Sequence, residues 1–116
     1  MELDFLIMPQ FPVPAWNHGL GKTLTAASVW TFVGNLLRWP IGQIPVTKVR
    51  SDEEFYEPRA HSSVDSVAKA MRAPMSGAAR LPVGVQVMCP EWEDEKVIDC
   101  MKIVDELVKR RNAGRH

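Results

Sequence analysis

Gly21-Lys22-Thr23, just ahead of a helical stretch, has the ending of a phosphate-binding loop, in which backbone amides cradle phosphate and the lysine neutralises it. The full pattern opens with a glycine at the position that Trp16 holds, and the loop follows a proline-rich segment instead of a strand. Without that glycine the backbone cannot wrap a phosphate, so the residues read as a loop and a helix start. Ser62, Ser63 and Lys69 supply the residue types of a nucleophile, a relay and a base. Ser62 or Ser63 is better placed to cap a short helix that carries Lys69. His18, His61 and His116 are scattered along the chain, and Cys89 and Cys100 share no metal-ligand spacing with them. Neither cysteine has a base paired with it in the sequence, and a buried inert thiol is the default. No catalytic residue, metal site or cofactor is therefore expected.

The chain has 116 residues, 46% of them apolar and 24% charged, which is ordinary globular composition for one segment spanning 1–116. The formal net charge of zero offers no electrostatic ground for binding nucleic acid or an anionic membrane. Lys109, Arg110, Arg111 and Arg115 cluster at the C-terminus, where cations complement a helix dipole. Acidic residues stand in MELDFLIMPQ where a secretory signal needs basic ones, and two cysteines make no disulfide framework. Both features point to a reducing, intracellular setting, in the cytoplasm or at the cytoplasmic face of a membrane. Thr23 to Leu37 contains no charge yet falls short of a bilayer span, which makes it a buried helix.

The elements follow from periodicity and punctuation. Phe5-Leu6-Ile7-Met8 is a short apolar run ending at Pro9, as expected of a strand buried on both faces. Pro9, Pro12 and Pro14 then impose an extended, irregular path. A helix is expected from about Thr23 to Arg38, capped by Thr23 or Thr25, ended by Pro40, enclosed by protein and packed closely at Gly34. Gln43 to Val49 reads as a strand, and Arg50 to Pro58 as a surface excursion. Ser62 or Ser63 begins a short helix with Val64, Val67, Ala68 and Met71 on one face, and a loop with Pro74 and Gly77 follows. Leu81 to Met88 is a two-sided apolar strand that expects neighbours on both edges. Asp94 to Arg111 is the clearest helix, with Val97, Cys100, Met101, Val104, Leu107 and Val108 in one stripe. Asp105 with Lys109 and Glu106 with Arg110 form favourable i, i+4 pairs on it. The alternation of strands and helices makes an α/β chain.

Several of these segments, in this order, resemble the last part of the amidase-signature enzymes, nearest in wording to the fatty-acid amide hydrolases. The anchors are Leu3-Asp4 and the strand closing on Pro9, Asn35 with WPIGQIPVTKV, LPVGVQVM with its glutamine, Trp92, and the acidic start of the last helix. The match is poor between Arg50 and Arg80. The resemblance implies a mixed sheet wrapped by helices, of which this chain supplies the C-terminal strands and helices and which is incomplete on its own. It also implies amide hydrolysis by a serine–serine–lysine set held in glycine- and serine-rich turns, and none of those residues can be assigned here. What carries over is part of a lipid-substrate channel: Thr25, Ser28 and Phe32, spaced i, i+3 and i+7 on one helix face, with Trp92 beside it. Ser28 stands where the family has a more apolar residue.

Two functional expectations follow. In the first, the chain is the C-terminal fragment of an amide hydrolase, inactive alone. Met1 lies almost on top of a strand that should be buried, which favours a truncated gene product or a remnant. In the second, it is a non-catalytic interaction protein that docks its exposed sheet edge or a helix on a full-length amidase. The expected partners are accordingly a small-molecule amide, a homo-oligomer or an intact relative, with membrane association open.

Overall fold

A computed structural model describes residues 3–55 and 69–114. In chain order the elements are β1 (Leu6–Pro9), α1 (Val29–Leu37), β2 (Ile41–Lys48), α2 (Arg72–Met75), β3 (Pro82–Met88) and α3 (Asp94–Ala113), with 3₁₀ turns at Leu20–Lys22, Thr25–Ser28 and Ser51–Glu53. The strands form one sheet in the order β1-β3-β2. Leu81 to Met88 thus has the neighbour on each edge that its two-sided apolar character demands.

β1 and β3 pair antiparallel in the register Leu6↔Met88, Ile7↔Val87, Met8↔Gln86 and Pro9↔Val85. At one end of the β2–β3 pair the Cys89 N–H donates to the Pro40 carbonyl at 3.3 Å, and at the other the Val49 N–H donates to the Leu81 carbonyl at 3.0 Å. Those pairings make β2 and β3 antiparallel as well. The mixed sheet implied by the family resemblance is, over the described strands, antiparallel throughout, because β3 inserts between β1 and β2.

The chain divides into two compact units. The first comprises Met1–Gln10, Trp30–Val46 and Gly84–His116. Side chains alternate across a strand, and here each face takes a different helix. Ile44, Val87 and Cys89 form a buried cluster with Val97 and Cys100 of α3, flanked by Phe5, Val46, Met101 and Val104. On the opposite face a Cβ added to Gly34 of α1 would overlap Ile41 Cδ1 and touch Met88 Cε. Close packing at Gly34 is as the sequence predicts. Gln86, buried at 4% exposure, donates through Nε2 to the carbonyls of Pro9 at 2.7 Å and Trp30 at 3.4 Å. A buried amide must be hydrogen-bonded, and this one ties β1 and α1 to the central strand.

The second unit comprises Phe11–Val29 and Thr47–Val83. Val13, Leu24, Val49 and Ala78 are buried in it. The rings of Phe11 and Trp16 lie 4.8 Å apart, and the Glu54 carboxylate accepts from the Ala79 N–H at 3.0 Å. Arg50 pairs with Asp52 and Glu53 at the exposed turn that begins the polar excursion.

Several expectations need correction. The helix expected from Thr23 starts at Val29, after a 3₁₀ turn, and neither threonine caps it. Thr23 Oγ1 donates to the Leu20 carbonyl at 2.8 Å and Thr25 Oγ1 to the Gly21 carbonyl at 3.3 Å, whereas a cap must accept from an amide. α1 is not enclosed: Gly34 is its one buried residue among those described, and Val29, Phe32 and Leu36 are exposed. β1 is not buried on both faces, because it is an edge strand with Leu6 and Ile7 exposed. Pro74 belongs to α2, in the first turn where a missing N–H costs nothing, not to a loop. The expected cap at Ser62 or Ser63 and the face of Val64, Val67 and Ala68 lie outside the described residues, as do His61, His116 and Arg115.

Candidate functional site

Arg38, Trp39, Pro40, Glu91, Trp92 and Asp94 line an open cleft of about 250 Å³ in the first unit. The first three residues leave α1 and enter β2, and the other three leave β3 and enter α3. α1 ends in a Schellman motif: the Arg38 N–H donates to the Asn35 carbonyl at 3.3 Å and the Trp39 N–H to that of Gly34 at 3.1 Å. The motif puts Arg38 in the left-handed region at φ 57°, a place that usually holds glycine. Across the cleft Trp92 has φ 72°. A large aromatic residue seldom adopts that conformation. Two non-glycine residues in left-handed backbone thus share one cleft, and such strain collects at functional sites.

One ion pair lies within the cleft lining. Arg38 Nε lies 3.4 Å from Glu91 Oε1, with both side chains partly in solvent. Glu93, the residue before α3, pairs with Lys96 at 2.9 Å, which holds the lysine above its ordinary pKa. Asp94 and Glu95 sit in the first turn of α3, where the helix dipole favours anions. The lining offers two indole faces, a guanidinium and two carboxylates, and contains no serine, cysteine, lysine or histidine. Such a surface can bind and orient a ligand but presents no nucleophile.

The residues expected to bind substrate divide as follows. Trp92 lines the cleft and is 79% exposed. Phe32, also in the first unit, is half exposed on α1 and is not part of the cleft lining. Thr25 and Ser28 belong to the second unit, in the 3₁₀ turn, where a spacing of three places them above one another. Their hydroxyls are turned to the backbone, with Ser28 Oγ donating to the Thr25 carbonyl at 2.5 Å. Arg38, Trp39, Glu91 and Asp94 were not singled out by sequence. Trp-Pro closing one helix and Pro-Glu-Trp opening another are the only signals they leave.

The other candidates are accounted for locally. In the Gly21-Lys22-Thr23 segment the Thr23 and Leu24 amides donate to the carbonyls of Leu20 and Gly21, which leaves neither amide turned outward for a phosphate. Lys69 is exposed, while Ser62 and Ser63 lie outside the described residues. Among the described residues no group of three or more His, Cys, Asp or Glu could hold a metal. Cys89 and Cys100 are both free and buried, and burial pushes the Cys89 thiol above its usual pKa. No helix among the described residues is long and apolar enough to cross a membrane.

Comparison with known proteins adds two relatives. The chain is similar to Fatty acid amide hydrolase 1 of Caenorhabditis elegans, 27% identical over 104 residues that make up 90% of this chain and 18% of that protein. It is likewise similar to Fatty-acid amide hydrolase 1 of Sus scrofa, 27% identical over 109 residues, 93% of this chain and 19% of that protein. The chain therefore spans less than a fifth of the length of these curated relatives. No family model matches it.

Proposed function

We propose that this chain is an amidase-related segment of the fatty-acid amide hydrolase kind, supplying sheet core and part of a substrate channel without the serine–serine–lysine chemistry. The observation that carries this reading is the likeness to two fatty-acid amide hydrolases along nine-tenths of the chain. Phe32 and Trp92 serve as apolar walls for a fatty-acid amide, and their exposure supports that role. Thr25 and Ser28, expected as polar members of the channel, lie in the second unit with their hydroxyls bonded to backbone carbonyls. Serine–serine–lysine hydrolysis requires a positioned serine and lysine, and the cleft lining contains neither.

Two measurements test the reading. Fluorophosphonate should label no serine of the purified chain, and stoichiometric labelling of any serine would overturn the absence of chemistry. A photoreactive long-chain amide should crosslink to peptides containing Phe32 or Trp92 and be displaced by an unlabelled fatty amide. Crosslinking confined to other peptides would remove the channel assignment. One observation favours a second reading: β1 is an edge strand with Leu6 and Ile7 open, a surface suited to strand addition. In that reading the chain docks on an intact amidase, which would co-purify with it and be released by Ile7→Lys.

A further inference from the structure

We infer that the cleft of the first unit binds a small organic ammonium ion, held by Asp94 and the indoles of Trp39 and Trp92. Trp39 comes from the connection of α1 to β2, Trp92 from that of β3 to α3, and Asp94 begins α3. Both connections are tied down close by. The Cys89 N–H donates to the Pro40 carbonyl at 3.3 Å, and the Trp39 N–H to that of Gly34 at 3.1 Å. The walls therefore stand in place before a ligand arrives. At about 250 Å³ the cleft is smaller than the roughly 300–1,000 Å³ of pockets that take drug-sized molecules, which suits a compact headgroup. It shares Trp92 with the proposed acyl channel, but an ammonium ion needs no acyl chain to enter.

Charge selects the class of ligand. The lining carries the carboxylates of Glu91 and Asp94 against the guanidinium of Arg38, two negative charges and one positive. Arg38 and Glu91 lie 3.4 Å apart and offset each other. Asp94 makes no ion pair among the described residues, so its charge is the one left for a ligand. Nearby, Glu93 is offset by Lys96 at 2.9 Å, and Glu95 adds a further carboxylate to the first turn of α3. The positive end of that helix, roughly half a charge, opposes a cation but is outweighed by Asp94 and Glu95 together. An anion would find Arg38 alone and would have to draw it away from Glu91.

The indoles supply the second attraction. Tryptophan is the ring that draws a cation most strongly, through the negative face of its π-system. Trp92 is 79% exposed, so its ring is not committed to the core, and no lysine or arginine stacks on Trp39 or Trp92 among the described residues. A neutral apolar guest would use the same rings but leave Asp94 without a counter-charge.

The test titrates the whole chain, at low ionic strength, with choline, with the neutral alcohol in which carbon replaces the choline nitrogen, and with acetate. Saturation transfer to the small molecule is the readout, since it tolerates self-association of the protein. Because choline has no acyl chain, its binding can fail while a fatty amide still crosslinks, and the reverse, so this test and that of the channel stay separate. Choline should bind saturably, and the neutral alcohol about tenfold more weakly, having lost both attractions. Asp94→Asn and Trp92→Leu should each weaken choline about fivefold. Asp99→Asn, elsewhere on α3 in an exposed pair with Lys102, should leave it unchanged. Equal binding of choline and the alcohol would make the cleft merely apolar and overturn the inference. Preference for acetate, or choline affinity unchanged in either cleft variant, would overturn it as well.

Discussion

Arg38 shows how one residue can carry both strain and a site. Its left-handed backbone closes α1, and a Cβ in that region costs roughly 1–2 kcal/mol. The ion pair with Glu91 returns little, because the arginine side chain is 74% exposed and exposed pairs contribute about 0–1 kcal/mol. Arg38→Ala removes the pair and keeps the Cβ, whereas Arg38→Gly removes both. The glycine variant should be the more stable of the two by about 1 kcal/mol in urea unfolding, reversing the usual helix-interior order of alanine over glycine. An alanine variant as stable as the glycine variant would mean that Arg38 does not hold this conformation. Position 38 could not be recognised from sequence, since nothing in Arg-Trp-Pro announces a positive φ. Trp92 is the opposite case: the family resemblance picked it out, and the structure sets it at the cleft on strained backbone.

At the scale of elements, the sharpest test is Gly34 in α1. Alanine is the better helix former by about 1 kcal/mol, yet its Cβ would overlap Ile41 Cδ1 where α1 lies against the sheet. Overpacking of this kind costs typically about 1–3 kcal/mol, so Gly34→Ala should lower the thermal midpoint. A raised midpoint would show that α1 can ride away from β2. That contact was legible because a glycine within an apolar helical run asks for a reason. α3 was legible almost to its ends: the sequence predicts Asp94 to Arg111, and the helix runs Asp94–Ala113. Its predicted pairs form, Asp105 with Lys109 at 2.6 Å and Glu106 with Arg110 at 3.7 Å. The stripe is inward at Val97 and Cys100 but exposed by Leu107, because periodicity says which residues share a face and not how far a sheet reaches beneath them. The same limit explains α1 and β1. Their apolar composition was read as burial, but composition records what a segment is suited to touch, not what touches it. The 3₁₀ start of α1 was hidden for a local reason, since Thr25 and Ser28 bond their hydroxyls to the backbone instead of capping it.

For the whole molecule, the decisive quantity is apolar surface left in water. Leu36 is 85% exposed, Phe55 80% and Trp92 79%, and Ile98, Ile103 and Leu107 are also exposed on α3. Singly exposed apolar residues are normal, but Val29, Trp30, Phe32, Leu36 and Leu37 gather on one side of α1. β1 adds an unpaired edge with Leu6 and Ile7 outward. Against this stands a small core, in which the fully buried large side chains are Leu24, Met88, Val87 and Cys89. A core of that size supports little stability alone, while the open faces favour any association that covers them. The purified chain should therefore self-associate or occupy a loosely packed state that binds hydrophobic dyes, with sedimentation and dye fluorescence as the readouts. Within that state α3 should persist longest, since its ion pairs and acidic first turn act locally, though even a long helix is marginal in water without packing. Hydrogen exchange separates the alternatives. Protection graded from α3 down to β1 is the expected pattern, whereas strong and equal protection at Leu6, Val46, Val85 and Val104 in a monomer that binds no dye would describe a self-sufficient domain. That result would remove the reading of this chain as one part of a larger hydrolase, because a sheet that needs no cover has no missing neighbour to supply it.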